Sequence, residues 1–243
     1  MSEQLPFTEF LNRLFGGAAN VLLDALRVRH DVAAPITNYV AMQILVVALL
    51  ILVFAIVRAR LSVDKPGGLQ HMFEGLEGFI SGQSHEIIGH HSEGFTPFLV
   101  ALGVFILTSN LLGLVPAFEA PTATPSVPLG CAIVAFFYYN FQGIKRQGGL
   151  AYAKHFMGPM WWLAPLMFPI EIISHLARPL SLTVRLYANM FAGEQVTLVF
   201  LKLTYFIGPV IFMGLHVFVG VIQAYIFMLL AMVYVGGAVA HDH

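Results

Sequence analysis

The sequence has few charged residues and almost no cysteine. Charged residues make up 10% of the 243 residues, the formal net charge at pH 7 is −1, and the only cysteine is Cys131. A nearly neutral chain has no basic surface for a nucleic acid, so nucleic-acid binding is excluded. A single thiol within an apolar run excludes an intramolecular disulfide and indicates a small buried side chain.

Apolar residues, in contrast, are abundant. They make up 58% of the sequence, above the roughly 45–50% that is usual in soluble domains. Several apolar runs are long enough to cross a bilayer, so we predict an all-α membrane protein with about five transmembrane helices and one membrane-parallel helix. Residues 1–36 mix charges with short apolar clusters and are predicted to form an amphipathic arm on the membrane surface. Residues 37–243 are predicted to form a single transmembrane domain.

The first half of the chain contains two predicted crossings. Tyr39–Val57 is an apolar run, interrupted only by Gln43, with the length of a transmembrane helix. Residues 61–93 combine glycine, glutamate and histidine with apolar residues at helical intervals, which predicts an interfacial helix and a loop. Thr96 followed by Pro97 is a helix-start signal, and it predicts that the second crossing covers Phe98–Val115.

The second half contains one short and two long apolar segments. Prolines 116, 121, 125 and 128 predict a non-helical connection. The apolar residues 129–141 that follow are short for a crossing, so the helix is expected to extend to Val127 or Gln142. Residues 143–160 are polar and are predicted to form a loop. Residues 161–203 and 207–240 each exceed the ~20 residues of a perpendicular helix, so we predict a long, tilted, two-helix hairpin.

The distribution of basic residues predicts the orientation in the membrane. Two connections are basic, whereas the proline-rich connection has neither lysine nor arginine; the basic residues are Arg58, Arg60, Lys65, Lys145, Arg146 and Lys154. Because short basic connections stay in the cytoplasm, the N-terminal arm is predicted to lie outside and the C-terminus inside. Arg27 and Arg29 in the arm count against this orientation.

Ionisable residues interrupt the first helix of the predicted hairpin, and such groups within a membrane indicate function. Glu171, Arg178 and Arg185 recur at every seventh position, so at about 100° per residue they share one helix face. Polar residues near the same line are Ser174, Ser181 and Asn189. Glu171 and Arg178 fit two interpretations, an ion pair that anchors the helix or a functional pair. Arg185 has no acid at helical contact spacing, which indicates a partner on another helix or another chain.

The second helix of the hairpin carries His216 and Gln223, again seven residues apart. Taken singly, such residues are usually hydrogen-bonding groups in helix packing. If the chain reverses near residues 205–206, residues whose numbers sum to roughly 410 lie at equal depth, because both helices rise by about 1.5 Å per residue. Glu194 then faces His216, and Arg185 faces Gln223.

An acid opposite an imidazole can pass protons, because both groups titrate near neutrality once their surroundings shift them. Glu194 and His216 are therefore predicted to form a proton relay. Gly193 is expected to introduce a local irregularity that turns Glu194 toward the hairpin interior. Arg185 cannot relay, since its guanidinium stays protonated, and it is predicted to act as a fixed positive barrier and as a counter-charge for a carboxylate.

These residues also carry a resemblance to a known family. The run Pro179 to Glu194, PLSLTVRLYANMFAGE, and the run Gln223 to Phe227, QAYIF, resemble two signature segments of subunit a of the F-type ATP synthase. Asn110–Pro116 and Gly143–Lys145 are weaker matches. Together the matches cover residues 95–240.

The resemblance implies a proton-translocating stator subunit of a bacterial inner membrane that is not itself an enzyme and uses no cofactor and no metal. The implied partners are a ring of c subunits whose carboxylates pass Arg185, the b-subunit peripheral stalk, other ATP synthase subunits and membrane lipid. Two offset half-channels would serve the ring, with Arg185 between them. The resemblance assigns Asn189, Glu194, His216, Gln223 and Asn110 to the outer path, and Glu171 and Ser174 to the inner path.

Two other classes of function compete with this interpretation. His85, Glu86 and His90 resemble a zinc peptidase motif, but the histidines of that motif lie four residues apart on one helix face, and these lie five apart. A secondary ion transporter or channel is the alternative. Secondary transporters typically show paired repeats and helices interrupted at the midplane, and neither feature is evident in the sequence.

Overall fold

The structure, a computed structural model, describes residues 5–25, 31–32, 34–62, 66–89, 92–115, 118–148, 152, 164–203 and 207–239. Within these ranges the chain is helical and contains no strand, which confirms the predicted fold class. The helices are α1 (Pro6–Ala25), α2 (Asn38–Ala59), α3 (Gly68–Ile88), α4 (Thr96–Leu112), α5 (Ser126–Gln147), α6 (Ala164–Leu203) and α7 (Ile207–Val239). Two short 3-10 turns, Ser92–Gly94 and Pro121–Ala123, precede α4 and α5.

Helix α7 lies at the centre of the bundle, because it packs against α3, α4, α5 and α6. Its fully buried side chains include Phe227, Met232 and Val235, and they share one core with residues of α4, α5 and α6. Small residues permit this close packing. A Cβ added at Gly103 of α4, for example, would lie 3.2 Å from Sδ of Met228 on α7. The two helices of the hairpin, α6 and α7, therefore pack closely against the other helices of the bundle.

Three described helices, α2, α5 and α7, have the length and composition of a membrane span. Helix α4 is apolar but has only 17 residues, which corresponds to about 25 Å against a hydrocarbon core of ~30 Å. Helix α6 has 40 residues and a length of about 60 Å, so it must be strongly tilted within a bilayer. The predictions that α4 and α6 also cross the membrane stay predictions.

The third predicted crossing begins earlier and ends later than the sequence indicated. Helix α5 has 22 residues. It includes both Val127 and Gln142, which confirms the predicted extension of this crossing. It also contains Pro128 in its first turn and continues to Gln147, so the predictions that Pro128 is non-helical and that a loop begins at residue 143 are wrong. A proline fits in the first turn because the amide hydrogens there have no helical partner. The helix ends at Gly148, whose φ of 84° suits glycine.

Helix α1 lies within the predicted N-terminal arm and is fixed to the start of α2. Leu11 is buried against Ile36, and the Asn12 side chain forms hydrogen bonds with the backbone N–H and C=O of Ile36 at 2.9 and 3.0 Å. The backbone N–H of Leu5 donates to Oδ1 of Asn38 at 3.2 Å. The placement of this arm on the membrane surface stays a prediction.

Candidate functional site

Arg185 lies on the exposed side of α6, within a stripe of small side chains that runs along the helix between residues 174 and 192. The exposed residues that flank it along the helix are Ser174, Ala177, Ser181, Ala188 and Ala192. Small side chains let a second helix approach closely, whereas a charged side chain facing lipid is costly. This small-residue face of α6 is therefore suited to a partner helix that brings a group for the guanidinium.

Among the described residues, Arg185 has neither a hydrogen-bond partner nor an ion-pair partner. Arg178 on the same helix differs, since its Nη2 lies 3.8 Å from Oε1 of Glu171. The observation agrees with the prediction that the counter-charge of Arg185 comes from outside its own helix. No counter-charge for Arg185 is found within the described part of the chain, so its source on another helix or another chain stays a prediction.

Two contacts define the register of the α6–α7 hairpin. The rings of Phe200 and Phe212 are stacked with centroids 3.8 Å apart. The ring of His216 lies against Gly193, where an added Cβ would be 3.2 Å from Cδ2 of the imidazole. In both pairs the residue numbers sum to roughly 410, as equal rise along antiparallel helices requires. The predicted register is confirmed.

Glu194 and His216 lie at the same level but do not form a hydrogen bond among the described contacts. His216 is 4% exposed, its Nε2 has no partner in the described part of the structure, and Glu194 is half-buried. Helix α6 continues through Gly193, so the predicted irregularity is wrong. The glycine instead leaves room for the imidazole, and a water molecule would have to connect the two side chains.

Gln223 lies at the depth of Arg185 according to this register, but its side chain is buried within the bundle whereas that of Arg185 is exposed. The described hydrogen bonds do not include one between them. Direct contact of Arg185 with Gln223 therefore stays a prediction. Asn189, one turn further along α6, is half-buried.

Glu171 and Arg178 form the ion pair that was one of the two interpretations of these residues. Their side chains are 34% and 32% exposed, and the Arg178 guanidinium also lies over the ring of Tyr234 of α7 at 5.3 Å. The pair thus links α6 to α7, which supports an anchoring role. A role of Glu171 or of the exposed Ser174 in proton conduction stays a prediction.

A buried hydrogen-bonded cluster next to this ion pair escaped the sequence analysis. Oδ1 of Asn140 accepts a hydrogen bond from the Tyr152 hydroxyl at 2.9 Å and lies 3.1 Å from Nε2 of His175. Burial raises the pKa of Tyr152 and the charge of Arg178 opposes the rise, so Tyr152 remains a neutral donor at pH 7. Around the axis of α6, His175 lies about 80° from the face that carries Arg185. The seven-residue spacing that identified that face therefore does not include His175.

Asn110 is 1% exposed and its amide ties three elements together. Its Nδ2 donates to the carbonyl of Gly220 in α7 at 2.8 Å, and its Oδ1 accepts from the Thr122 hydroxyl at 2.7 Å. These bonds hold the turn Pro121–Ala123 against α4 and α7. These bonds indicate a structural role for Asn110. Its assignment to the outer path stays a prediction.

Comparison with known proteins identifies the family. Residues 40–236 match the family described as ATP synthase A chain. The chain belongs to this family, that of subunit a of the F-type ATP synthases. Proteins named ATP synthase subunit a are 55% identical over 244 residues in Koribacter versatilis (100% of both chains) and 57% identical over 232 residues in Solibacter usitatus (96% of this chain, 99% of the relative). The protein of that name from Trichlorobacter lovleyi is 45% identical over 197 residues (81% and 85%).

Membership in the ATP synthase A chain family confirms the resemblance that was based on residues 179–194 and on residues 223–227. This family is that of the proton-translocating subunit in the membrane sector. It displaces the transporter and peptidase alternatives. Of the peptidase-like histidines, His90 lies outside the described residues.

The ATP synthase A chain fold also brings a second acid toward Glu194 that the sequence analysis missed. Glu119 lies in the connection between α4 and α5, and its Oε1 accepts a hydrogen bond from Nδ2 of Asn38 at 3.3 Å. The turn Pro121–Ala123, which begins two residues after Glu119, packs against α6, the helix that carries Glu194. An isolated acid in a connecting segment gives no periodic signal, so only the tertiary contact indicates its position.

Proposed function

We propose that this chain is the stator subunit that brings protons to a ring of c subunits and takes them away, with Arg185 between two offset half-channels. The observation that carries the proposal is the exposed guanidinium on the small-residue face of α6, which has no partner among the described residues. A guanidinium facing hydrocarbon is costly unless an acid faces it. A deprotonated carboxylate on a passing ring helix supplies that acid and is stabilised in return.

The outer half-channel is proposed to follow the α6–α7 hairpin on the C-terminal side of Arg185. Glu194 and His216 lie at one level there, and the buried Nε2 of His216 has no hydrogen-bond partner among the described residues, although buried polar atoms are normally hydrogen-bonded. Asn189 lies between this level and that of Arg185, and Gln223 lies at the level of Arg185. Protons would pass along these groups and bound water to the ring.

The inner half-channel is proposed to start on the other side of Arg185, at Glu171 and Ser174. Glu171 precedes Arg185 by about 21 Å along the axis, and Glu194 follows it by about 14 Å, at 1.5 Å per residue. The two titratable groups are therefore too far apart for direct transfer. The permanently protonated guanidinium between them excludes a continuous proton path, so a proton must travel on the ring.

The remaining assignments follow from the same proposal. Helix α6 presents its small-residue face to the c ring, and the b-subunit stalk and other ATP synthase subunits bind elsewhere on the chain. The basic connections after α2 and α5 support a cytoplasmic C-terminus and an external N-terminus. The compared relatives from bacteria support a location in a bacterial inner membrane.

Cysteine cross-linking tests the proposal. Ala188→Cys places a thiol one turn from Arg185, in a chain that also carries Cys131→Ala, and a second cysteine is placed beside the ring carboxylate of the c subunit. Oxidation of the assembled complex in membranes should yield a cross-linked a–c product. Ala48→Cys is the matched control, because Ala48 is an equally small, exposed residue in the middle of α2. Equal cross-linking of both variants, or of neither, would contradict the proposed docking face.

A further inference from the structure

We propose that Glu119 is an additional proton-transfer residue of the outer half-channel, which accepts protons from external water and passes them toward Glu194. The inference rests on the proposed function and adds a residue to it. The transfer is a simple proton exchange: the carboxylate takes a proton from hydronium or water, and releases it to water or to the neighbouring carboxylate. It requires no co-reactant.

The carboxylate of Glu119 is held by a hydrogen bond from the start of α2. Asn38, the first residue of α2, is 7% exposed, and its Nδ2 donates to Oε1 of Glu119 at 3.3 Å. Its Oδ1 accepts the backbone N–H of Leu5 at 3.2 Å, so α1 orients the same amide. Glu119 itself is half-buried. Its carboxylate is therefore in contact with both water and protein, as a proton-uptake group must be.

The connection between α4 and α5 is fixed against the hairpin. The turn Pro121–Ala123 packs against α6, and the bond from Thr122 to Asn110 anchors it to α4. Glu119 is the only acid between residues 113 and 125. A side chain at Gly113 is excluded, since its Cβ would lie 2.5 Å from Cβ of Ala120. The fold thus gives this connection one acidic side chain in one place.

The elements next to Glu119 carry residues of the proposed outer half-channel. The Asn38 amide that binds Glu119 begins α2, and the turn Pro121–Ala123, two residues after Glu119, packs against α6, the helix that carries Glu194. Beyond Glu194 lies His216, whose buried Nε2 has no partner among the described residues. Glu119 and Glu194 are both half-buried, and His216 is buried.

Proton flux through the assembled ATP synthase in membrane vesicles tests the proposal, at matched complex content. Glu119→Gln should slow proton flux about tenfold, less than the ~10²-fold or greater effect of a directly acting acid, because water can partly bypass a group at the channel mouth. Glu9→Gln is the matched control, since Glu9 is an exposed acid of α1 paired with Arg13 at 2.6 Å. This control should conduct at the full rate.

Chemical rescue separates proton transfer from a structural role. Glu119→Cys in a chain with Cys131→Ala is modified in the purified complex with 2-carboxyethyl methanethiosulfonate, or with methyl methanethiosulfonate, and then reconstituted. The carboxylate adduct should restore most of the flux, whereas the neutral adduct should not. Equal flux with both adducts would overturn the proposal, even if Glu119→Gln itself fails to assemble.

The activity of Arg185→Ala shows whether a failure concerns only the role of Glu119 or the half-channel proposal as a whole. If Arg185→Ala is inactive and Glu119→Gln conducts at the full rate, the role of Glu119 is wrong and the half-channel proposal stands. If Arg185→Ala retains coupled pumping, the half-channel proposal itself is wrong.

Discussion

The imidazole ring of His216 lies directly against the α-carbon of Gly193. A Cβ at this position would approach Cδ2 of the ring to 3.2 Å and Cγ to 3.3 Å, which is tighter than ordinary van der Waals contact. Helix α6 is regular here, so glycine is required for its lack of a side chain and not for an unusual backbone angle. The contact sets the level of Glu194 relative to the imidazole.

Gly193→Ala is therefore expected to displace His216 and to slow proton flux. Filling a packed site usually costs about 1–3 kcal/mol. Gly214→Ala is the control, because Gly214 lies within α7 and a Cβ there meets no atom within 4 Å. Flux in inverted vesicles and the Tm of the purified complex should fall for Gly193→Ala alone. Identical behaviour of the two variants would show that the described contact has no consequence.

Arg185→Ala should abolish both proton-driven ATP synthesis and ATP-driven pumping while the complex still assembles. The exposed guanidinium stabilises no described part of this chain, so its removal should affect coupling and not folding. Arg185→Lys should also be largely inactive, because an ammonium lacks the planar, multiple-donor geometry and can lose its proton when desolvated. Both activities are measured in vesicles, with the amount of assembled complex determined by immunoblotting. Normal coupled pumping by Arg185→Ala would contradict the proposal.

Glu171→Gln distinguishes between the conduction role and the anchoring role of this acid. If Glu171 conducts, proton flux should fall while the amount of complex stays close to that of the wild type. If the ion pair with Arg178 at 3.8 Å is mainly structural, the variant should instead be depleted from the membrane, since a lost partner leaves a partly buried charge unpaired. Arg178→Gln provides the comparison, because it removes the same ion pair and leaves the carboxylate in place. Equal flux and equal abundance in all three proteins would exclude both roles.

The exchange of Glu194 and His216 tests whether the two residues act together. Glu194→His and His216→Glu each place two like groups at one level, and both pairs resist carrying two charges, so each single variant should slow proton flux. The double variant restores one acid and one imidazole. Its loss of flux, expressed as a free energy, should be smaller than the sum of the two single losses. Strictly additive losses would show that the two residues act independently.

Several features of this protein are determined by local sequence. The apolar run 39–57 becomes α2 (Asn38–Ala59), and Thr96-Pro97 begins α4, because helix formation in lipid depends on the length of the apolar run and on the satisfaction of its own backbone. The hairpin register follows in the same way from the constant helical rise, which is why the levels of Gly193 and His216 could be predicted. The seven-residue spacing of the charged residues likewise identified the face of α6 that carries Arg185.

Only the tertiary structure decided which residues contact each other when their positions in the sequence follow no helical spacing. Glu119 meets Asn38 across 81 residues, and Asn140 meets Tyr152 and His175 through side-chain geometry that no spacing rule contains. The first turn of α5 also depended on its context, since Pro128 is compatible with either a loop or a helix start. The sequence thus determined which helices form, how deep each residue lies along them and which face carries the charges. Which side chains of different elements meet was decided by packing, because a few ångströms of helix displacement change every such contact while leaving the pattern along each helix unchanged.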